Sequence, residues 1–244
     1  MHRFYADVTE EGCVLSPEDA KHALRVLRLE DGAEVEIVAG GERRRATLSV
    51  REDRVFALPG ERLANTEAKL QVTLYQGLPK SDKMDLIIRM ATELGAAAVQ
   101  PVAMERSVVR LEGKDGMRRR ERWGKIAREA VKQCGRVRPP EIREAKPLFA
   151  LCGELRALDL LLVPWEEAAG GESIGRRVQA AVAGGAHTVG ILIGPEGGID
   201  RKEIDWLLAN AGAKTVTLGP RILRTETAGP AALALVMGFA GEME

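Results

Sequence analysis

Val189-Gly190-Ile191-Leu192-Ile193-Gly194-Pro195-Glu196-Gly197-Gly198-Ile199-Asp200 decides the fold of this chain. Its first five residues form an apolar run of strand length, the next five a turn with three glycines, and Asp200 opens a helix. An apolar run bounded by Gly and Pro reads as a buried strand. Strand, glycine loop and helix start make one βα unit. Glycine lets backbone approach a ligand closely, and a helix start offers unpaired N–H groups. The turn is therefore either an ordinary connection or one wall of a ligand site. A second run, Leu218-Gly219-Pro220-Arg221-Ile222-Leu223-Arg224-Thr225-Glu226-Thr227-Ala228, repeats the form of strand end, loop and helix start. Two such loops at one end of one sheet make a pocket.

Outward from these loops, the same alternation runs back to about residue 68. Strands are expected at 70–75, 98–102, 159–163, 189–193 and 215–218, each followed by a helical pattern, at 83–94, 116–134, 174–183, 201–211 and 227–240. Five βα units imply an α/β domain with a parallel sheet covered on both faces. Asp200 and Glu203 have capping-box spacing, and Gly95, Gly135 and Gly212 stand where left-handed helix ends belong. The last helix, with Ala231-Ala232-Leu233-Ala234-Leu235-Val236-Met237, is apolar all round, which implies burial inside the fold or against a second subunit.

Before residue 60 the pattern differs. Short strands at 3–6, 33–38, 44–50 and 54–58 are divided by Asp31-Gly32, Gly40-Gly41 and Glu52-Asp53, which reads as a small β-barrel. Val35 and Ile37 alternate with Glu34 and Glu36, as in a strand with one wet face. Ser16 and Pro17 start a helix over 16–28 with Ala20, Ala23, Leu24 and Leu27 at core spacing. The polar stretch 60–69 is a linker, so the domains are 1–67 and 68–244.

The totals exclude several classes. The 244 residues balance 36 basic against 36 acidic side chains, so no whole-chain field selects a polyanion. No run is long and apolar enough to span a membrane, and the N-terminus lacks a signal-peptide core, so a cytoplasmic protein is expected. Cys13, Cys134 and Cys152, like His2, His22 and His187, are scattered without metal-ligand spacing, so no metal is expected.

Charge gathers locally instead. Between Met117 and Arg138 lie nine basic residues, among them Arg119, Arg136 and Arg138, against Glu121 and Glu129 alone. One sign over six turns favours a polyanion partner, and Gly135 with Pro139-Pro140 is expected to present Arg136 and Arg138 on a rigid loop. The run Arg43-Arg44-Arg45 at a hairpin entry is either solvated or a phosphate contact.

The glycine loop matches neither GxxxxGK[ST] nor GxGxxG, and Glu196 in its middle would repel a phosphate. A carboxylate beside close backbone suits a ligand with hydroxyls and positive charge; S-adenosylmethionine is one. The two loops, with Glu93-Leu94-Gly95 and Gln133-Cys134-Gly135-Arg136, resemble the 16S rRNA (uracil-N3) methyltransferase family of the SPOUT class. The resemblance extends over essentially the whole chain, including His22-Ala23-Leu24-Arg25-Val26-Leu27-Arg28 in an N-terminal PUA-like β-barrel that binds RNA. Gly229-Pro230 departs from the helix formers expected there.

That resemblance implies a trefoil knot in the C-terminal domain, a homodimer, S-adenosyl-L-methionine as cofactor and 16S rRNA of the small ribosomal subunit as partner. By motif, cofactor contacts are implied for Leu162, Pro164, Gly194, Pro195, Glu196, Gly197, Leu218, Gly219, Ile222 and Leu223. RNA contacts are implied for Arg43, Arg44, Arg45, Lys83, Arg106, Arg119, Arg136 and Arg138. Arg224 is expected to stabilise negative charge developing on the base. Glu226 or Glu196 is the base or orienting group, although Glu226 equally suits a helix N-terminus. Cys134 is either a nucleophile, as in 5-methylpyrimidine enzymes, or a core residue. Other readings left open are 2'-O-ribose methylation and a non-catalytic RNA-binding or ribosome-assembly factor.

Overall fold

The computed structural model describes residues 1–51, 54–110, 113–168 and 172–244, so the expected turn at Glu52-Asp53 lies outside the described residues. The chain divides into two compact units. The first comprises Met1–Glu67 with Val131–Arg138, the second Ala68–Ala130 with Pro139–Glu244.

In the first unit, β1 (Arg3–Thr9), β2 (Gly12–Leu15), β3 (Glu34–Ala39), β4 (Glu42–Arg51) and β5 (Arg54–Arg62) close into a barrel in the order β1-β2-β5-β4-β3. Among the described residues of this barrel only the β1–β3 pair is parallel. The alternation in β3 turns Val35 and Ile37 fully inward, where they meet Phe4, Leu15, Leu48 and Val55. The helix expected over 16–28 is shorter. Ser16 caps α1 (Pro17–Lys21) by accepting from the Asp19 N–H, and the chain then widens into a π-helical turn, His22–Val26. Arg28 ends it with φ +55°. Strand β2 has only four residues and no turn glycine after it, so it left no mark on the sequence pattern.

The second unit contains β6 (Gln71–Gly77), α2 (Lys83–Glu93), β7 (Ala98–Ala103), α3 (Gly113–Cys134), β8 (Glu141–Ile142), β9 (Lys146–Pro147), α4 (Cys152–Arg156), β10 (Leu160–Pro164), α5 (Ile174–Ala183), β11 (Thr188–Ile193), α6 (Arg201–Asn210), β12 (Lys214–Val216) and α7 (Thr225–Phe239); the last turn of α3 is counted with the first unit. The sheet has seven strands in the order β12-β10-β11-β6-β7-β8, with β9 also on β7, and every pair is parallel.

Both faces are covered, as the continuous apolar strands require. Val189, Ile191 and Ile193 of β11 point to one layer, with Ile87, Val178, Leu233 and Val236 from α2, α5 and α7. Leu192 points to the other, with Leu155, Ile204 and Leu207 from α4 and α6. The capping box at Asp200 and Glu203 is formed, and Gly95, Gly135 and Gly212 have φ of +89°, +80° and +63°. The two-residue strands β8 and β9 and the one-turn α4 are too short to carry a period, which is why the sequence pattern lacks them.

Candidate functional site

Two clefts of about 780 Å³ each open on the second unit. One lies over Thr73, Tyr75, Gln100, Arg143 and Glu154. Two of its cations are already paired: Arg143 contacts Glu141 at 2.8 Å and Glu154 at 3.6 Å, and Lys146 contacts Glu154. The other sits at the C-terminal ends of the strands, where parallel sheets bind ligands. It is the candidate site.

Its position follows from strand order. β10 lies between β11 and β12, so the loops after all three strands emerge side by side. Pro164-Trp165-Glu166 comes from β10, Gly194 to Ile199 from β11, and Thr217 to Thr225 from β12. The end of β6 closes the floor from beneath, because a Cβ on Gly77 would stand 2.7 Å from Pro195 Cδ and N.

The glycines of the β11 loop are required by the loop's own fold. A Cβ on Gly194 would meet Ile199 Cγ1 at 2.8 Å and Gly198 C at 2.9 Å, and one on Gly197 would meet Arg106 Cβ at 3.1 Å. Gly198 has φ +73°, a conformation costly for other residues. Arg106 then fastens the loop, donating to the Gly197 carbonyl at 3.0 Å and to Asp200 at 3.1 Å.

Glu196 turns back toward the protein. Its carboxylate accepts from the Lys80 N–H at 3.0 Å and pairs with Lys83 Nζ at 3.1 Å. Burial works against the ionised form, yet these donors and the residue's own N–H hold its pKa below the usual carboxylate value. Lys83 also stands 3.1 Å from Glu226 Oε2. Among the described residues no aligned hydrogen-bond donor reaches that oxygen, and the contact is an ion pair. The Glu226 pKa is lowered first by its own N–H at the helix start and, against burial, by Lys83.

Of the residues expected to hold a cofactor, Pro164, Gly194, Pro195, Glu196, Gly197, Leu218, Gly219, Ile222 and Leu223 line this cleft, and Arg224 joins them. Leu162 does not. It is fully buried in the core beside α5 and α7, because its position in β10 points it away from the strand end. Ile222 is 87% exposed, an unusual setting for an apolar side chain. Glu226 stands behind the rim, joined to the cleft through Lys83. Trp165, Glu166, Ile199, Thr217 and Thr225 also line the cleft and were not expected. Trp165 was legible: it follows the last residue of β10, where a strand-end rule places ligand contacts.

The arginines expected to contact RNA fall into different settings. Arg43 pairs with Glu36, Arg44 with Glu42 at 2.8 Å, and Arg45 is exposed. Lys83 is engaged at the cleft and Arg106 on the β11 loop, as described. Arg119 sits on α3, and the Arg138 side chain is 62% exposed. Arg136 departs from the outward placement expected of it. It is buried, with Nη2 2.6 Å from Glu67, and a buried guanidinium needs such a carboxylate. Cys134 is half-buried and donates weakly to the Val131 carbonyl. Among the described residues no group of His, Cys, Asp and Glu is arranged to hold a metal, and no helix is long and apolar enough to cross a membrane.

A family model described as an RNA methyltransferase domain matches residues 66–237. The chain is 34% identical over 247 residues to the ribosomal RNA small subunit methyltransferase E of Bacillus subtilis, spanning 97% of this chain and 96% of that protein. It is 30% identical over 243 residues to the protein of the same name from Aquifex aeolicus, spanning 98% and 100%. A crystal structure of a ribosomal RNA small subunit methyltransferase E from Neisseria gonorrhoeae, bound to S-adenosyl methionine, superposes with a TM-score of 0.76 at 29% identity, over 98% of this chain and 97% of that one. With its two converging glycine loops and this match along nearly its whole length, the chain belongs to the RNA methyltransferase family, among the ribosomal RNA small subunit methyltransferase E proteins.

Proposed function

We propose that this protein is an S-adenosylmethionine-dependent methyltransferase acting on N3 of a uridine in 16S rRNA of the small ribosomal subunit. The observation that carries the reading is the convergence of the β11 and β12 loops on one cleft, with Arg224 at its rim.

The cleft suits the methyl donor. Its volume falls in the range of small-molecule sites, roughly 300–1,000 Å³. Exposed Ile222 and half-buried Leu223 offer apolar surface to an adenine ring, while the carboxylates of Glu196 and Glu166 suit a ligand bearing an ammonium and a sulfonium. When bound, the donor supplies an electrophilic methyl group. The expected contacts at Pro164, Gly194, Gly197, Leu218 and Gly219 are to loop backbone.

The protein's own task concerns the N3 proton. Uracil N3 has no free lone pair until that proton leaves, so the site must favour the anion. Arg224, exposed at the N-terminus of α7, stabilises the developing negative charge. Glu226 and Glu196 are both held ionised at neutral pH, which makes them weak bases and good acceptors. One of the two therefore orients N3–H and takes its proton only as transfer proceeds.

The barrel, PUA-like in our reading, the exposed arginines Arg45 and Arg138 and the half-buried Arg119 serve RNA. We assign the chain to the cytoplasm, with a trefoil knot around the cleft and a homodimer covering the exposed Leu235 and Phe239 of α7. The test is nucleoside mass spectrometry of 16S rRNA treated with purified protein and S-adenosylmethionine. 3-Methyluridine is expected; a 2'-O-methyl product, or none, rejects the reading.

A further inference from the structure

Gln76, the last residue but one of β6, is a fully buried amide directly opposite Ile193 of β11. Its Nε2 donates to Thr225 Oγ1 at 2.8 Å and to the Gly77 carbonyl at 3.1 Å. Thr225, 5% exposed, passes the chain on: its hydroxyl donates to the Gly194 carbonyl at 2.7 Å. Two short hydrogen bonds thus join the end of β6, the first residue of α7 and the first residue of the glycine loop.

The neighbouring helix is shaped around this amide. A Cβ on Gly229 would lie 3.0 Å from Gln76 Oε1, so glycine one turn into α7 makes room for it. Pro230, inside the helix, has no N–H to offer the Glu226 carbonyl. The Gly-Pro pair that departs from helix-forming residues is what accommodates the buried amide and loosens the turn around it.

An apolar pair would fill the same space without burying amide and hydroxyl, and replacing both partners of a buried bond by apolar groups is often neutral for stability. A polar tether here therefore calls for a role beyond packing. Thr225 is flanked by Arg224 and Glu226, and its partner Gly194 lines the cleft.

We infer that Gln76 and Thr225 are positioning residues, a buried tether that holds the start of α7 on the glycine loop and so fixes Arg224 and Glu226 against the substrate base. The inference rests on the methyltransferase reading above. It also predicts an effect on methyl-donor binding, because the tethered Gly194 is part of the cleft.

The test compares Thr225→Val, Thr225→Ser, Gln76→Leu and the double variant Gln76→Leu/Thr225→Val in the full chain. Three quantities are measured: kcat and KM on 16S rRNA, S-adenosylmethionine affinity by calorimetry, and thermal unfolding. The valine and leucine variants are expected to lose about ten- to hundredfold in kcat with RNA KM nearly unchanged, the effect of one or two buried hydrogen bonds. Thr225→Ser, which keeps the hydroxyl, is expected to stay within about threefold of wild type. Should a single variant fail to fold, the double variant, with no orphaned amide hydrogen, is expected to be folded and slow.

A folded Thr225→Val or double variant with wild-type kcat overturns the inference, as does a serine variant as slow as valine. If wild-type protein binds S-adenosylmethionine but leaves 16S rRNA unmodified, the substrate reading fails by itself. The tether is then judged by donor affinity alone: about tenfold weaker in Thr225→Val supports it, and unchanged affinity overturns it.

Discussion

Lys83 Nζ lies 3.1 Å from the carboxylate of Glu196, and the same ammonium lies 3.1 Å from Glu226. One cation thus joins the loop after β11 to the helix after β12. The Lys83 pKa is raised by Glu196 first and Glu226 second, so it is charged whenever they are ionised.

Replacing Lys83 with Met leaves two carboxylates facing each other without their counter-ion. Both folded-state pKa values, now held low, are expected to rise. A depressed carboxylate pKa contributes stability above the unfolded value, lost as pH falls through the folded one. The difference in melting temperature between wild type and Lys83→Met should therefore be present at neutral pH and fade in acid. The acid limb of the kcat/KM profile should move to higher pH in the variant. An unshifted limb would show that neither carboxylate takes part in the rate-limiting proton movement.

The sheet was legible because β6, β10 and β11 carry apolar runs long enough to declare themselves, and the Asp200 capping box marks α6 to the residue. What escaped were contacts between distant positions. Nothing local to Glu67 announces that it will bury Arg136, 69 residues away, and a basic run reads as exposed until its carboxylate is found. The role of Gly77 was invisible for the same reason, since it is set by Pro195 on another strand's loop. Lys83 looked like one more surface cation because both of its partners lie beyond residue 190.

Arg136 and Arg138 should behave differently when neutralised. Arg138→Gln, on an exposed side chain, is expected to lower the salt-dependence slope of RNA binding by about one unit with little change in stability. Arg136→Gln should leave the slope alone and destabilise the first unit by about 3 kcal/mol, because the Glu67 carboxylate, 7% exposed, loses its buried partner. Glu67→Gln should reproduce the second result. Salt titrations of binding with urea unfolding separate the cases. Equal slopes for both arginine variants would remove Arg138 from the RNA interface.

Tyr5 offers an alkaline counterpart. Its hydroxyl donates to the carbonyls of Val131 and Arg136, at 2.9 and 2.7 Å. Burial pushes its pKa up to about 12, partly opposed by Arg3. A raised folded pKa means the protonated phenol stabilises the fold, an advantage complete below the unfolded value near 10 and lost as pH climbs toward 12. Unfolding free energy should fall across that window, and Tyr5→Phe should flatten the fall while lowering stability by about 1 kcal/mol at neutral pH. A wild-type ultraviolet titration with no tyrosine above pH 11 would contradict this assignment.

Gly77→Ala separates site geometry from stability. The added Cβ would stand 2.7 Å from Pro195 N, which is backbone and cannot swing aside, so the β11 loop must move. Because that loop also carries Glu196 and the Gly194 carbonyl that Thr225 grips, donor affinity is expected to fall at least about tenfold, as for loss of one buried contact network. Gly153→Ala is the control. Its Cβ would meet nothing within 4 Å, and it sits in α4, where alanine favours helix by roughly 0.5–1 kcal/mol. Calorimetry with S-adenosylmethionine on both variants should find binding lost in one and intact in the other. Wild-type affinity in folded Gly77→Ala would mean that the loop tolerates displacement, and the close approach of β6 would then be packing alone.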